Sequence, residues 1–201
     1  MPSIPEHIAN CLATTGWYAG DSIFTAELST RLAQRARLLA DRHELKSARV
    51  GHNVGVQANA QLRSDDTRWL ADAPDDASER DAVAIVNALR ENLNEALFLG
   101  AQEVELHFTR YALGAFYRTH RDRFRDDDAR LVSLVFYLND DWADGAGGEL
   151  VLYAEDDSAT VIARVQPQAG TMVCLLSERF PHEVLPATRE RFSLTGWLRR
   201  A

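Results

Sequence analysis

With 201 residues, 46% of them hydrophobic, the chain has the size and composition of one ordinary globular domain. A net charge of −8 and a pI near 5.2 argue against a nucleic-acid partner, which calls for a clustered basic face. No apolar run reaches bilayer length, and the opening Met1-Pro-Ser-Ile-Pro-Glu-His7 lacks the basic-then-apolar layout of a signal peptide, so a cytoplasmic protein with no membrane partner is expected.

In chain order, Ile4, Ile8, Cys11 and Leu12 recur at helical spacing until Gly16 stops the pattern. Thr25 is placed to cap a second helix with the stripe Leu28, Leu32 and Leu39, while Arg31, Arg35, Arg37 and Arg42 read as its solvated face. Turn formers and β-compatible residues alternate over 43–62, which predicts a mobile hairpin or finger loop, with His52 an exposed loop histidine. An acidic turn around Pro74 leads into a third helix, predicted to start at Ser78 and stop at Gly100. Its apolar face would hold Val83, Val86, Leu89, Leu93, Ala96 and Leu97. Beyond Gly100 the pattern turns to strands at 103–111, 131–138, 150–153, 160–165, 171–176, 182–185 and 191–198, separated by Gly- and Asp-rich turns. Helices first and about eight short strands afterwards describe an α+β domain whose sheet curls or closes. Cys11 and Cys174 lie in unrelated contexts, and Cys174 reads as a buried free thiol.

The residues able to carry chemistry fall in two stretches, 111–122 and 182–197. Side chains two apart on an extended segment leave the same face, so His120 and Asp122 can grip one ion together. With His182 added, two imidazoles and a carboxylate compose the facial set of non-haem Fe(II) oxygenases, which leaves half the coordination sphere open. A His-x-Asp pair alone is ordinarily a surface ion pair, so the weight falls on Arg191. It sits on the apolar strand Arg191-Phe-Ser-Leu-Thr-Gly-Trp197, where a guanidinium is expensive to bury unless an anion meets it. A dicarboxylate that chelates the metal at one end and pairs with Arg191 at the other would be that anion.

Several motifs then converge: Tyr111-x2-Gly114-x2-Tyr117-x2-His120-x-Asp122, Phe136-Tyr137-Leu138-Asn139-Asp140-Asp141-Trp142, Gly147-Gly148-Glu149-Leu150, His182-Glu183-Val184-Leu185-Pro186-Ala187 and Arg191-x3-Thr195-x-Trp197. In this order they resemble the 2-oxoglutarate- and Fe(II)-dependent prolyl 4-hydroxylases, in particular bacterial relatives of the oxygen-sensing hypoxia-inducible-factor prolyl hydroxylases. The resemblance implies a double-stranded β-helix core, jelly-roll and cupin-like, with N-terminal supporting helices. It implies one dioxygenase domain over 1–201, in which 1–100 supply helices and the substrate-side loop 43–62, and 101–201 the catalytic core.

It further implies Fe(II) on His120, Asp122 and His182, and 2-oxoglutarate on Arg191 with Tyr111, Tyr137 and Thr195 as hydrogen-bonding partners. O2 is the other co-substrate, and L-ascorbate a further candidate cofactor. The filled carboxylate position at Asp122 favours hydroxylation over halogenation. The implied substrate is a prolyl residue, hydroxylated at the 4-position, in a flexible loop of another protein; bacterial members point to elongation factor Tu. Arg63-x-Asp65-x3-Trp69 matches a segment beside the family's substrate entrance, and Trp142 and Trp197 are expected near substrate as well. Arg63 and Asp65 can equally pair with each other. Arg118, Arg121, Arg123 and Arg125 surround the metal motif, to meet substrate or to pair with Asp126, Asp127 and Asp128. The sequence closes four residues after Trp197, so a substrate-selecting C-terminal helix is not expected and peptide selection should be looser. Two other readings stay open: a hydroxylase of a free amino acid or small metabolite on the same fold, and a catalytically silent β-barrel binding module.

Overall fold

Three capped helices precede most of the sheet in the computed structural model, which describes residues 2–48, 61–123 and 129–201. Most of the 43–62 loop, with His52, lies outside the described residues, as do Arg125 and Asp126, Asp127 and Asp128. Ser3 and Glu6 form a reciprocal capping box that starts α1 (Ile4–Thr14). The Thr25 hydroxyl accepts from the Leu28 amide and starts α2 (Ala26–Asp41), the cap expected from sequence.

The third helix, α3 (Ala77–Leu97), departs from expectation at both ends. Its cap is Asp76, not Ser78: the carboxylate accepts from the amides of Ser78 and Glu79 and meets the positive end of the helix dipole. It stops before Gly100 because Phe98 turns left-handed at φ 54 and stands 91% exposed. The buried stripe runs through Glu79, Ala82, Val86, Leu89 and Leu93, leaving Val83 and Leu97 half-buried and Ala96 exposed. Glu79 accounts for that register. It is buried because Arg35 and Arg68 pair with it, which ties α2 and the neighbouring strand to the first turn of α3.

The described residues hold eleven strands, three of them between the helices and eight after: β1 (Trp17–Asp21), β2 (Lys46–Ser47), β3 (Asp66–Trp69), β4 (Glu103–Tyr111), β5 (Tyr117–His120), β6 (Arg130–Tyr137), β7 (Leu150–Ala154), β8 (Asp157–Val165), β9 (Thr171–Leu176), β10 (His182–Val184) and β11 (Arg191–Arg199). They form a seven-stranded sheet in the order β1-β9-β6-β11-β4-β3-β2 and a four-stranded sheet in the order β5-β10-β7-β8. Every strand read from sequence is present. β1, β2, β3 and β5 were not among them, since they are short and lack clean apolar alternation. Their hydrogen bonds come from established neighbours, β1 from β9 and β3 from β4.

Alternation on the large sheet divides the core. Phe108, Leu134, Phe136, Met172, Cys174, Leu194 and Leu198 pack beneath the helices with Ile8, Leu32, Val86 and Leu93. Tyr137, Val173 and Leu175 face the other way and meet Leu150 and Leu152 of the small sheet and Phe180 of the loop before β10. This is the jelly-roll core that the resemblance implied. Cys174 is buried and free, and burial pushes its thiol well up. Among the described residues no helix is long and apolar enough to cross a membrane.

Candidate active site

The functional side chains come from facing surfaces of the two sheets. On the large sheet, antiparallel register sets Arg191 opposite Tyr111, Ser193 opposite Thr109, Thr195 opposite His107 and Trp197 opposite Glu105. These pairs share one face by the two-residue period and line a cavity of ≈ 720 Å³. On the small sheet, His120 of β5 pairs directly with His182 of β10. Asp122 lies just past β5. Its carboxylate oxygens stand 3.5 Å from His120 Nε2 and 3.6 Å from His182 Nε2.

One ligand atom from each of these three residues falls within 4.8 Å of the others, so they could hold a metal ion. Each imidazole is also oriented from behind. His120 Nδ1 lies 2.7 Å from the Arg118 carbonyl and His182 Nδ1 3.1 Å from the Phe180 carbonyl. A carbonyl only accepts, so both Nδ1 atoms carry the proton and both Nε2 lone pairs face Asp122, the tautomer a metal requires. Burial presses the His182 imidazole down to about 4, with His120 adding and Asp122 opposing. Burial works to raise the Asp122 carboxyl, but His182 and His120 hold it well below the usual range. The site thus presents one carboxylate and two imidazoles whose Nε2 atoms face it, the donor set suited to Fe(II).

Arg191 is 1% exposed, and among the described residues it makes no ion pair. Its guanidinium carbon lies 4.8 Å from the Tyr111 ring centre and 5.1 Å from that of Tyr137. Arg191 Nε and the Tyr137 hydroxyl are both buried without a hydrogen-bond partner. The Thr195 hydroxyl is within reach of Ser193 at 3.2 Å and of Thr109 at 3.4 Å. A buried cation, an orphaned hydroxyl and a small hydroxyl cluster fit the distal carboxylate of a dicarboxylate chelated to the metal.

Towards the mouth the cavity becomes aromatic. The His107 ring stacks on Trp197 at 5.3 Å and lies 4.6 Å from Trp69, while Arg130 covers the other part of Trp197 at 3.5 Å. Trp69 is 50% exposed, and His107 is buried with its Nδ1 unpartnered. Burial, with Arg63 and Arg130 adding, presses the His107 imidazole down to about 3.

Of the residues expected beside substrate, Arg63, Trp69 and Trp197 line the cavity, while Asp65 is buried behind Arg63 and bonds it bidentately at 2.7 and 2.5 Å. Trp142 does not reach the cavity. It is buried with Ala146 and Ala187, its indole N–H donating to the Gly147 carbonyl, because the tight Gly147-Gly148 turn folds that loop onto Ala187. Arg121 donates to the carbonyls of Glu178 and Glu155, Arg123 pairs with Glu178, and Arg118 lies over Phe116. Sequence reading missed His107, Tyr117 and Arg130 as parts of the site. The available signal was the alternation in β4, which puts a histidine in line with Tyr111 on a strand whose other face is apolar.

Residues 106–199 match the 2OG-Fe(II) oxygenase superfamily. A crystal structure of a Pseudomonas putida prolyl-4-hydroxylase matches with a TM-score of 0.87 and 39% identity, over 98% of this chain and 100% of that one. A Trichoplax adhaerens prolyl hydroxylase, solved with a hypoxia inducible factor peptide fragment, shares the fold: TM-score 0.84 and 24% identity over 96% of this chain and 88% of that one. The Caenorhabditis elegans hypoxia-inducible factor prolyl hydroxylase is 26% identical over 96% of this chain, which spans only 28% of that protein's length. Fold and site together define a 2-oxoglutarate- and Fe(II)-dependent oxygenase, an enzyme class that uses Fe(II), 2-oxoglutarate and O2. Within it, the chain belongs to the prolyl hydroxylase family.

Proposed function

We propose that the chain is a protein prolyl 4-hydroxylase acting on a prolyl residue in a flexible loop of another protein. The observation that carries the reading is the buried Arg191, with no carboxylate partner among the described residues, facing a cavity shared with His120, Asp122 and His182. In this reading those three residues hold Fe(II), with both imidazoles kept in register by the carbonyls behind them. Arg191 takes the distal carboxylate of 2-oxoglutarate as a charge-assisted pair, and Tyr111, Tyr137 and Thr195 donate hydrogen bonds around it. When bound, Fe(II) with 2-oxoglutarate and O2 supplies oxidation of an unactivated C–H bond to an alcohol, coupled to conversion of 2-oxoglutarate to succinate and CO2.

The rest of the chain supports that site. Trp197, His107 and Trp69 form an aromatic cluster in the cavity that also holds the metal residues, suited to packing a pyrrolidine ring. Asp122 occupies the carboxylate position and supports hydroxylation over halogenation. β1 to β3 extend the sheet that carries Arg191, which supports reading 1–201 as one catalytic unit. Elongation factor Tu is the first substrate to test, by resemblance to bacterial members of the family. A cytoplasmic setting goes with that choice, and L-ascorbate is the reductant to include.

The test is mass spectrometry of lysate proteins and of elongation factor Tu after incubation with the enzyme, Fe(II), 2-oxoglutarate and air. The expected result is a gain of one oxygen on a prolyl residue, lost with His120→Ala or without 2-oxoglutarate. Oxidation of free proline or another small metabolite, with every prolyl peptide untouched, would move the assignment to small-molecule hydroxylation.

A further inference from the structure

The three residues that face the metal position are not held equally. His182 sits on β10 with a strand on either side, β5 and β7. His120 ends β5, a four-residue strand at the edge of the small sheet, and its backbone has β10 on one side only. What backs its ring on the open side is a stack of planar groups. The Tyr117 ring lies face to face on the His120 imidazole, with centroids 3.5 Å apart and planes 12° from parallel. On Tyr117 lies the Arg63 guanidinium, 4.2 Å from the ring centre. Arg63 is in turn fixed by Asp65 through Nε at 2.7 Å and a terminal nitrogen at 2.5 Å, and Asp65 is 1% exposed. The backbone locks the two segments together. Arg118 N donates to the Leu62 carbonyl, Ser64 N to the Phe116 carbonyl and Phe116 N to the Ser64 hydroxyl, with a bridge between Arg63 and Tyr117.

We propose that Asp65, Arg63 and Tyr117 are positioning residues for the metal ligand His120, acting as a rigid stack that fixes the plane of its imidazole. The Arg118 carbonyl fixes one rotation of the ring through Nδ1, and the Tyr117 face fixes the tilt that this single hydrogen bond leaves free. Arg63 suits the third layer because a planar guanidinium can stack on a ring while its edge stays bidentate to a carboxylate. A lysine can do one or the other. Asp65, buried away from the cavity, acts only through Arg63. The inference rests on the reading of His120 as a metal ligand. It accounts for the pair at 63 and 65 without requiring either to touch substrate.

The experiment measures Co(II), as a stand-in for Fe(II), binding to the full chain by calorimetry and visible absorption, with no 2-oxoglutarate or substrate. Tyr117→Leu and Arg63→Lys should each weaken Co(II) binding by about 10- to 100-fold, the range for losing support behind a ligand, and should alter the Co(II) absorption bands. Tyr117→Phe keeps the stacking face and should restore wild-type affinity and spectrum. Thermal melts of the metal-free variants report folding, and if Tyr117→Leu does not fold, Arg63→Lys decides. Wild-type Co(II) affinity in folded Tyr117→Leu or Arg63→Lys, beside a His120→Ala control that loses the metal, overturns the positioning role alone. Undiminished binding by His120→Ala overturns the ligand assignment beneath it.

Discussion

Arg191 concentrates the physical argument at the scale of single residues. A guanidinium with 1% exposure and no counter-carboxylate among the described residues is unfavourable unless something anionic arrives. In the proposed co-substrate site, Arg191→Ala removes the charge-assisted pair with 2-oxoglutarate, worth roughly 1.5–3 kcal/mol. The 2-oxoglutarate concentration needed for half-maximal activity should therefore rise about 10- to 100-fold, while metal affinity measured without 2-oxoglutarate stays near wild type. Steady-state titration against calorimetry separates the two; unchanged 2-oxoglutarate dependence would remove Arg191 from the co-substrate site. His107 gives a pH prediction. Its folded value of about 3 lies below the ordinary 6.5, so between those values the unfolded chain binds a proton that the folded chain refuses. Stability is unaffected by this group above pH 6.5 and falls as pH drops through the window, by about 2 kcal/mol at pH 5. Urea unfolding of His107→Phe at pH 7 and 5 should show a shallower loss than wild type; an equal loss would show that His107 is not the group responsible. His120, Asp122, His182 and Arg191 were legible because each is a polar exception in an apolar or turn pattern. The part played by His107 and Tyr117 was not, because it depends on which rings lie across the strand or beyond the next turn.

At the scale of elements, β11 is the member on which both faces converge, with Arg191, Thr195 and Trp197 towards the cavity and Phe192, Leu194 and Leu198 in the core. Two details hold it in place. Asn139 donates to the carbonyls of Pro167 and Phe192 and accepts from the Phe192 amide, anchoring the residue next to Arg191. Gly196 lets β4 approach: a Cβ there would collide with the Glu105 carbonyl oxygen and lie 2.6 Å from Leu106. Gly196→Ala should thus cost about 1–3 kcal/mol of stability by overpacking, read as a lower melting temperature. A melting curve identical to wild type would mean that the two strands are not so closely apposed. The long apolar strands β4, β6, β9 and β11 could be read from alternation alone. β1, β2, β3 and β5 could not, since short strands of mixed polarity owe their existence to partners remote in sequence. The shifted stripe of α3 has a similar cause, because burying Glu79 is tolerable only with Arg35 and Arg68 already opposite.

For the molecule as a whole, the candidate metal ligands lie on the small sheet (His120, His182) or just past its edge strand (Asp122) and Arg191 on the large one, so a ligand joining them would bridge two separately built layers. The apolar contacts of Tyr137, Val173 and Leu175 with Leu150 and Leu152 set the spacing between those layers. Each ligand that binds only the folded state raises stability by mass action, and because 2-oxoglutarate would bridge the metal and Arg191, Fe(II) and 2-oxoglutarate together should stabilise the protein by more than the sum of their separate effects. Equal and additive shifts in melting temperature would argue that the two do not share the cavity. The most direct test of the central claim is anaerobic addition of 2-oxoglutarate to Fe(II)-loaded protein, followed by visible absorption. The account predicts a metal-to-ligand charge-transfer band that saturates at one Fe(II) per chain, is absent in His182→Ala, and needs far more 2-oxoglutarate in Arg191→Ala. No band in the wild-type protein, or an identical band in His182→Ala, would contradict it.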